Sequence, residues 1–178
     1  MPLMNSGAFL QINHISMEER NYGFSYQVYT SHLELNASDA ALLEKARAVT
    51  AEAYAPYSHF HVSAVALMEN GAIVTGTNQE NASYPVGICA ERSLLASVAA
   101  LHPGVRISSI AISYNSKEVV SDHPVSPCGM CRQALLEYEN RLEHPIRLIL
   151  AGMTGEVFII PKADQLLPFA FTKEELKK

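Results

Sequence analysis

The placement of the three cysteines constrains how this chain can fold more than any other feature of its sequence. One cysteine is Cys89, and the other two form the pair Cys128-Gly129-Met130-Cys131. Both segments lie where a helix is predicted to begin. Three thiolates suit a zinc ion and leave its fourth position open, as in catalytic zinc sites. If one ion binds all three sulfurs, the amino-terminal ends of two helices have to converge on it.

The residues beside the cysteines favour a catalytic metal site. The amino terminus of a helix carries partial positive charge, which stabilises the thiolate that binds metal. Glu91 follows Cys89 by two residues, close enough to move protons on whatever fills the open position. Arg92 is placed to donate hydrogen bonds to the ligand sulfurs. A structural zinc site would need a fourth ligand, for which His123 is the candidate, and a redox pair would leave Cys89 unexplained.

Hydrophobic periodicity predicts an α/β fold. A helix from Ser38, capped by Asn36 or Ser38, should end before Pro56, and Asn70-Gly71 is a hairpin signal. The order of elements predicts three layers, α/β/α, around a mixed five-stranded sheet. The remaining patterns predict an extended segment at 22–35, helices at 88–101, 128–142 and 173–178, and strands at 59–67, 72–77, 107–114, 146–150 and 157–160.

Length and charge limit the class of protein. The 178 residues suit one compact domain, with residues 1–36 as an N-terminal extension and residues 37–178 as the catalytic domain. The net charge is −5, without a dense cluster of Lys and Arg, which disfavours a nucleic-acid partner. Residues 1–10 lack the pattern of a signal peptide, and no segment is apolar for long enough to span a membrane. We therefore expect a cytoplasmic protein that acts on a small molecule without a membrane partner.

Four segments of the chain resemble the homotetrameric cytidine deaminases. Zinc deaminases of nucleobases carry a His or Cys ligand, a Glu two residues later, and a Pro-Cys-x-x-Cys pair. The resemblance covers residues 37–171 and depends on PYSHFHV at 56–62, GTNQENASY at 76–84, CAER at 89–92 and SPCGMCRQ at 126–133. The chain differs at Ser63, where the family usually has Gly, and residues 115–125 look additional.

The resemblance implies a role for each matching position. Zn²⁺, one per subunit, would be bound by Cys89, Cys128 and Cys131, and Glu91 would shuttle protons. Asn78 and Glu80 would bind the ribose hydroxyls. The remaining substrate-binding residues that the resemblance implies are Phe60, which would stack on the pyrimidine, Ala90, which would offer backbone groups to the base, and Tyr84 and Phe171, which would reach a neighbouring subunit's pocket.

The function that these features imply is zinc-dependent hydrolytic deamination of cytidine and 2′-deoxycytidine, with release of ammonia, in pyrimidine salvage. The expected assembly is a homotetramer with shared active sites. A deaminase of a different cytosine-bearing compound, such as blasticidin S, would carry similar motifs. A nucleic-acid editor or a non-catalytic zinc-containing binding protein would also need a zinc site of this kind. Asn78 and Glu80 favour a ribose, and Glu91 argues against a purely binding role.

Overall fold

The structure is a computed structural model of the chain and describes residues 17–176. Within this range, the chain forms three α-helices and six strands, together with short 3-10 turns. The helices are α1 (Ala37–Val49), α2 (Ala90–Leu101) and α3 (Gly129–Leu142). The strands are β1 (Gln27–Tyr29), β2 (Phe60–Met68), β3 (Ile73–Thr77), β4 (Ile107–Ser116), β5 (Arg147–Ala151) and β6 (Val157–Ile160).

The strands form one mixed sheet in the order β1-β6-β5-β4-β2-β3. All neighbouring pairs are antiparallel except β4 and β5, which are parallel. The hairpin between β2 and β3 turns at Asn70-Gly71 as predicted, with Gly71 at a φ of +82°. The prediction of five strands was wrong, because β1 pairs with the edge of β6, Val28 opposite Phe158. A strand of three residues is too short to identify by periodicity.

Helices cover both faces of the sheet, as the predicted α/β/α order requires. On one face, α1 packs through Leu43 and Ala46 against alternate residues of the central strands. On the other face, α2 and α3 pack through Leu94 and Leu135 in a second buried cluster. Successive residues of a strand point to opposite faces, so the central strands contribute to both clusters.

The ends of α1 follow from local hydrogen bonds. The side-chain oxygen of Asn36 accepts from the backbone N–H of Asp39, which confirms the predicted cap. The helix ends at Val49, earlier than Pro56, and continues as one 3-10 turn over Thr50–Glu52. The Thr50 hydroxyl donates to a carbonyl of the last turn, which satisfies an acceptor that the helix leaves open.

The chain ends are described only in part. The tail forms a 3-10 helix at Lys173–Leu176 in place of the predicted helix, and residues 177–178 lie outside the described range. Residues 1–16 also lie outside it, so the division at residue 36 stays a prediction. No helix within residues 17–176 is long and apolar enough to cross a membrane.

A glycine on β3 sets the distance between the sheet and α2. A Cβ added to Gly76 would overlap the backbone nitrogen of Leu94 and would lie 2.6 Å from the carbonyl oxygen of Ala90. The first turn of α2 therefore approaches β3 as closely as two backbones allow. This contact places the start of α2 at the end of the sheet where β2 begins and β3 ends.

Candidate active site

Two helix amino termini bring the three cysteines into one cluster. Cys89 is the residue that precedes α2, Cys128 precedes α3, and Cys131 lies in the first turn of α3. The Sγ atoms of Cys89 and Cys128 are 3.9 Å apart, and those of Cys128 and Cys131 are 3.4 Å apart. All three sulfurs lie within 4.8 Å of one another. Tetrahedral zinc with bonds of about 2.3 Å needs sulfurs roughly 3.8 Å apart, so the cluster fits this ion.

The cysteine side chains are free to act as ligands. Neither Cys89 nor Cys128 uses its sulfur to cap the helix that it precedes. A hydrogen bond with Cys131 lowers the pKa of Cys89 to about 6, although burial and the charge of Glu91 oppose this shift. The same bond, together with burial, raises the pKa of Cys131. The lowered pKa of Cys89 favours the thiolate form, which is the form that binds a metal ion.

Arg92 interacts electrostatically with Cys89 of this cluster. The positive charge of Arg92 contributes to the lowered pKa of Cys89 as the smallest of several causes. Within residues 17–176, the hydrogen bonds do not include one from Arg92 to a sulfur. The predicted donation from Arg92 to the ligand sulfurs stays a prediction.

Glu91 is a buried carboxylate beside the cluster. It lies in the first turn of α2, and only 5% of its surface is exposed. Burial raises the pKa of Glu91, while a hydrogen bond with Cys131 acts in the opposite direction to a lesser extent. A carboxyl group whose pKa is moved toward neutrality is suited to take up and release protons.

Two adjoining cavities open next to the sulfurs. The inner cavity, of about 220 Å³, is lined by Phe60, Asn78, Cys89, Ala90, Glu91 and Ser126, among others. The outer cavity, of about 460 Å³, is lined by residues that include Ser58, Asn78, Glu80, Tyr84, Cys89 and Met130. Asn78 and Cys89 line both cavities, so the two lie on either side of these residues. The structure thus brings together all the predicted site residues except Arg92 and Phe171.

Asn78 holds the start of β2 as well as lining the cavities. Its side-chain oxygen accepts from the N–H of Val62 at 2.7 Å, and its amide nitrogen donates to the carbonyl of Phe60 at 2.9 Å. An amide has two donor hydrogens and two acceptor lone pairs. Asn78 therefore keeps one hydrogen and one lone pair for a ligand.

Glu80 holds the loop that precedes β2. Its carboxylate accepts from the backbone N–H groups of Tyr57 at 2.9 Å and Ser58 at 3.2 Å, and from the hydroxyl of Ser58 at 2.5 Å. Burial opposes ionisation, but these hydrogen bonds outweigh it and lower the pKa of Glu80. The Ser58 hydroxyl in turn accepts from the N–H of Phe60. A chain of hydrogen bonds thus connects Glu80 with the wall of the inner cavity.

Tyr84 and Phe171 have different positions in the single chain. Tyr84 lines the outer cavity with 76% of its surface exposed, and its ring meets that of Tyr57 edge to face at 6.1 Å. Phe171 is 60% exposed and does not line either cavity, although its carbonyl accepts from the side chain of Gln133. Its predicted role in a neighbouring subunit's pocket stays a prediction.

Sequence reasoning assigned no role to Ser58, Val125 or Ser126. Ser58 connects Glu80 with Phe60, and Val125 and Ser126 line the inner cavity. Both serines lie within the segments that carry the family resemblance, and this location could have identified them as site residues. Val125 is the last residue of a loop whose course a local pattern does not predict.

Comparisons with known proteins agree with this geometry. The family model described as "Cytidine and deoxycytidylate deaminase zinc-binding region" matches residues 36–142. A cytidine deaminase of Sporosarcina psychrophila is 39% identical over 137 residues, which are 76% of this chain and 92% of that protein. One of Halalkalibacterium halodurans is 37% identical over 136 residues, 76% of this chain and 95% of that protein.

A solved structure shows the same similarity in three dimensions. The 1.6 Å crystal structure of cytidine deaminase from Burkholderia pseudomallei aligns with a TM-score of 0.64 and 38% sequence identity. The alignment covers 74% of this chain and 97% of that one. The architecture is therefore shared with a structurally characterised cytidine deaminase.

Proposed function

This chain belongs to the cytidine and deoxycytidylate deaminase family, and from that premise we propose that it hydrolyses cytidine and 2′-deoxycytidine to uridine and 2′-deoxyuridine. The protein is a hydrolytic deaminase, and its cofactor is zinc. One observation carries the proposal most directly. A buried carboxylate, Glu91, lines the same cavity as two of the three clustered cysteines.

The cysteines and Glu91 have separate roles in the proposed reaction. We propose that Cys89, Cys128 and Cys131 hold the zinc ion, which supplies an electrophilic centre where the water of a hydrolysis is activated. A carboxylate oxygen of Glu91 takes a proton from the water and passes it to the ring nitrogen, while the water oxygen bonds to the neighbouring amino-bearing carbon. Glu91 then takes the remaining proton from that oxygen and gives it to the amine, the carbon–nitrogen bond breaks, and ammonia leaves with the oxygen retained on the ring. One carboxylate performs both transfers because they occur in sequence.

The shape of the site favours a nucleoside over a nucleotide. The inner cavity, walled by Phe60, is suited to the base, and the outer cavity, which contains Glu80, is suited to the sugar. The residues that line the two cavities include no Lys or Arg, while Glu80 carries a negative charge. A phosphate group would therefore meet repulsion in place of the cations that usually bind it. Asn78 and Glu80 keep free bonding capacity for the ribose hydroxyls.

Exposed apolar side chains support a homotetramer with shared sites. Tyr84 and Met130, which line the outer cavity, are 76% and 64% exposed in the single chain, and Phe169 and Phe171 of the tail are 92% and 60% exposed. Large exposed apolar side chains of this kind are typical of a surface that a partner covers. We propose that neighbouring subunits bury them and that Tyr84 and Phe171 complete an adjacent pocket. Light scattering should give the mass of four chains, and a fully active monomer would contradict the proposal.

We also propose that the enzyme works in the cytoplasm, in pyrimidine salvage. All three cysteines are free and form one cluster, as expected where thiols stay reduced. The reaction recovers a pyrimidine nucleoside, which is the chemistry that salvage requires.

The test is ammonia release from cytidine and 2′-deoxycytidine by zinc-loaded protein. We expect turnover by the wild type and a loss of at least roughly 10²–10⁴-fold in kcat for Glu91→Gln, because the variant lacks the proton carrier. The variant should still bind one zinc per chain. Glu137→Gln, at an exposed position of α3, serves as the matched control. Turnover of blasticidin S without turnover of either nucleoside would show that the substrate is a different cytosine compound.

A further inference from the structure

The loop between β4 and α3 makes contacts that the proposed chemistry does not use. We call residues 117–125 the β4–α3 loop. Its residue Ser121 is buried, and its hydroxyl accepts from the N–H of Ser116 at 3.0 Å. The Ser121 carbonyl accepts from the N–H groups of Met153 at 2.7 Å and Thr154 at 3.2 Å. The loop is therefore anchored both to the end of β4 and to the turn between β5 and β6.

Glycines in that turn allow its backbone to approach the backbone of the β4–α3 loop closely. Gly155 has a φ of +78°, and an added Cβ would overlap the carbonyl oxygen of Asp122. Gly152, three residues earlier, approaches Ser121 in the same way, since an added Cβ would overlap the carbonyl oxygen of Ser121. At Ser121 and Asp122, the backbone of the β4–α3 loop is therefore packed directly on the backbone of the turn between β5 and β6.

The loop and β4 together support an aromatic ring under the inner cavity. Tyr114 of β4 is 1% exposed, and its ring stacks on that of Phe60 with centroids 4.9 Å apart and planes 15° apart. In the β2–β4 register, Tyr114 is opposite Val62, which makes Phe60 and Tyr114 diagonal neighbours on one face of the sheet. Phe60 lines the inner cavity. One face of the Phe60 ring is thus covered, and a base can stack only on the other.

Residues of the β4–α3 loop cover Tyr114 in turn. The ring of His123 meets that of Tyr114 at a centroid distance of 5.9 Å and an angle of 68°. The Tyr114 hydroxyl lies 3.4 Å from Nδ1 of His123 and 3.5 Å from the carbonyl of Val120. Nδ1 of His123 is 3.0 Å from the Asp122 carboxylate. The loop therefore holds the far side of the aromatic pair.

We propose that Tyr114 is a positioning residue for the pyrimidine, which acts through Phe60 and is held in place by the β4–α3 loop. The proposal rests on the function proposed above, because it assigns the Phe60 ring to the base. Tyr114 does not line the cavity, so it has no contact with the reacting atoms. Its loss should weaken nucleoside binding and leave the chemical step almost unchanged.

The expected effect is a change in KM. Offset-stacked aromatic pairs in proteins contribute enough to change an equilibrium by roughly two- to tenfold. We expect Tyr114→Leu to raise the KM for cytidine and the inhibition constant of the product uridine by this factor, with kcat within about twofold. Tyr114→Phe keeps the stacked ring and should restore both constants to near the wild-type values. A residue with only a structural role would lower the active fraction, and hence kcat, without changing KM.

A double-mutant cycle with Phe60→Leu tests whether Tyr114 acts through Phe60. If it does, Tyr114→Leu should have almost no further effect on KM in the Phe60→Leu background. Independent, additive effects on KM would overturn the proposal, as would an unchanged KM in Tyr114→Leu. All variants are compared as zinc-loaded protein, with metal content and circular dichroism measured first.

A second variant covers the case in which Tyr114→Leu does not fold. His123 is 63% exposed, so His123→Ala should fold, and it removes the ring that contacts Tyr114 from the loop. We expect a smaller rise in KM of the same kind, and no change in KM would overturn the role of the loop. Wild-type protein that neither deaminates cytidine nor binds uridine would refute the proposed function instead. Active wild-type protein with additive variants would refute only the inference about Tyr114.

Discussion

Replacing Glu80 with Gln should separate its contact with the sugar from its contact with the protein. The carboxylate accepts from the N–H groups of Tyr57 and Ser58 and from the Ser58 hydroxyl. A glutamine keeps a carbonyl for the two N–H groups, and its amide can donate to the Ser58 oxygen. The loop before β2 should therefore keep its position, while the negative charge is lost.

The magnitude follows from the difference between charged and neutral hydrogen bonds. A hydrogen bond to a charged group contributes about 1.5–3 kcal/mol, compared with about 1 kcal/mol for a neutral one. Loss of the charge of Glu80 should therefore weaken a contact with a ribose hydroxyl by about 0.5–2 kcal/mol. This corresponds to a decrease of roughly 2- to 30-fold in kcat/KM for cytidine.

The assay compares cytidine with 2′,3′-dideoxycytidine, which lacks the 2′- and 3′-hydroxyls of the sugar and keeps the 5′-hydroxyl. We expect Glu80→Gln to lower kcat/KM for cytidine by the factor above and to change that for the dideoxy compound less than about twofold. Ser58→Ala is the control, because it removes a partner of Glu80 and of the Phe60 N–H but keeps the charge. It should affect both substrates equally. An equal loss on both substrates in Glu80→Gln would refute a contact between Glu80 and the sugar.

Three further predictions concern stability and the metal. Glu139 accepts three backbone N–H bonds while 7% exposed, so Glu139→Ala should lower the free energy of unfolding by about 3 kcal/mol in urea titrations. The exposed Glu137→Ala should change it by less than about 0.5 kcal/mol, and equal effects would contradict the reasoning. Gly76→Ala should cost more than about 2 kcal/mol and lower zinc content, because the new methyl group displaces α2. A Cβ added at Gly23 has no atom within 4 Å, so Gly23→Ala should change neither the free energy of unfolding nor the zinc content. Removal of zinc with a chelator should lower Tm, since a ligand present at 100 times its Kd stabilises by about 2.7 kcal/mol. Zinc, and not magnesium, should restore Tm, and a Tm independent of metal content would contradict binding by the thiolates.

Much of the fold was predictable because its signals are local. The cap at Asn36 and the turn at Asn70-Gly71 depend on residues within a few positions of one another. The apolar positions of α2 and α3 recur at helical spacing, and both helices were placed within two residues of their observed starts. The exceptions were the tail, which forms a 3-10 helix, and the strand β1. β1 lies within the segment 22–35 that was predicted to be extended, but its place in the sheet depends on the edge of β6, far away in the sequence.

The site was predictable as a set of residues but not as an arrangement. The motifs and the resemblance in four segments named the cysteines, Glu91 and part of the cavity wall. The resemblance did not show that Asn78 and Glu80 also make hydrogen bonds to the backbone at and before the start of β2. Nor did it indicate that Tyr114 supports Phe60. Such contacts are between residues that are distant in the sequence, and local patterns do not predict them.

The sequence by itself determined most of the order of helices and strands, and it supplied the candidate zinc ligands and the candidate acid–base residue next to them. These properties depend on residue type and short-range spacing, which periodicity, capping and motif comparison capture. Only the tertiary structure decided that Cys89 comes within 3.9 Å of Cys128 and that Glu91 is buried in a cavity beside them. The physical reason is that two helix ends, 39 residues apart in the chain, meet only when both helices pack on the same face of the sheet.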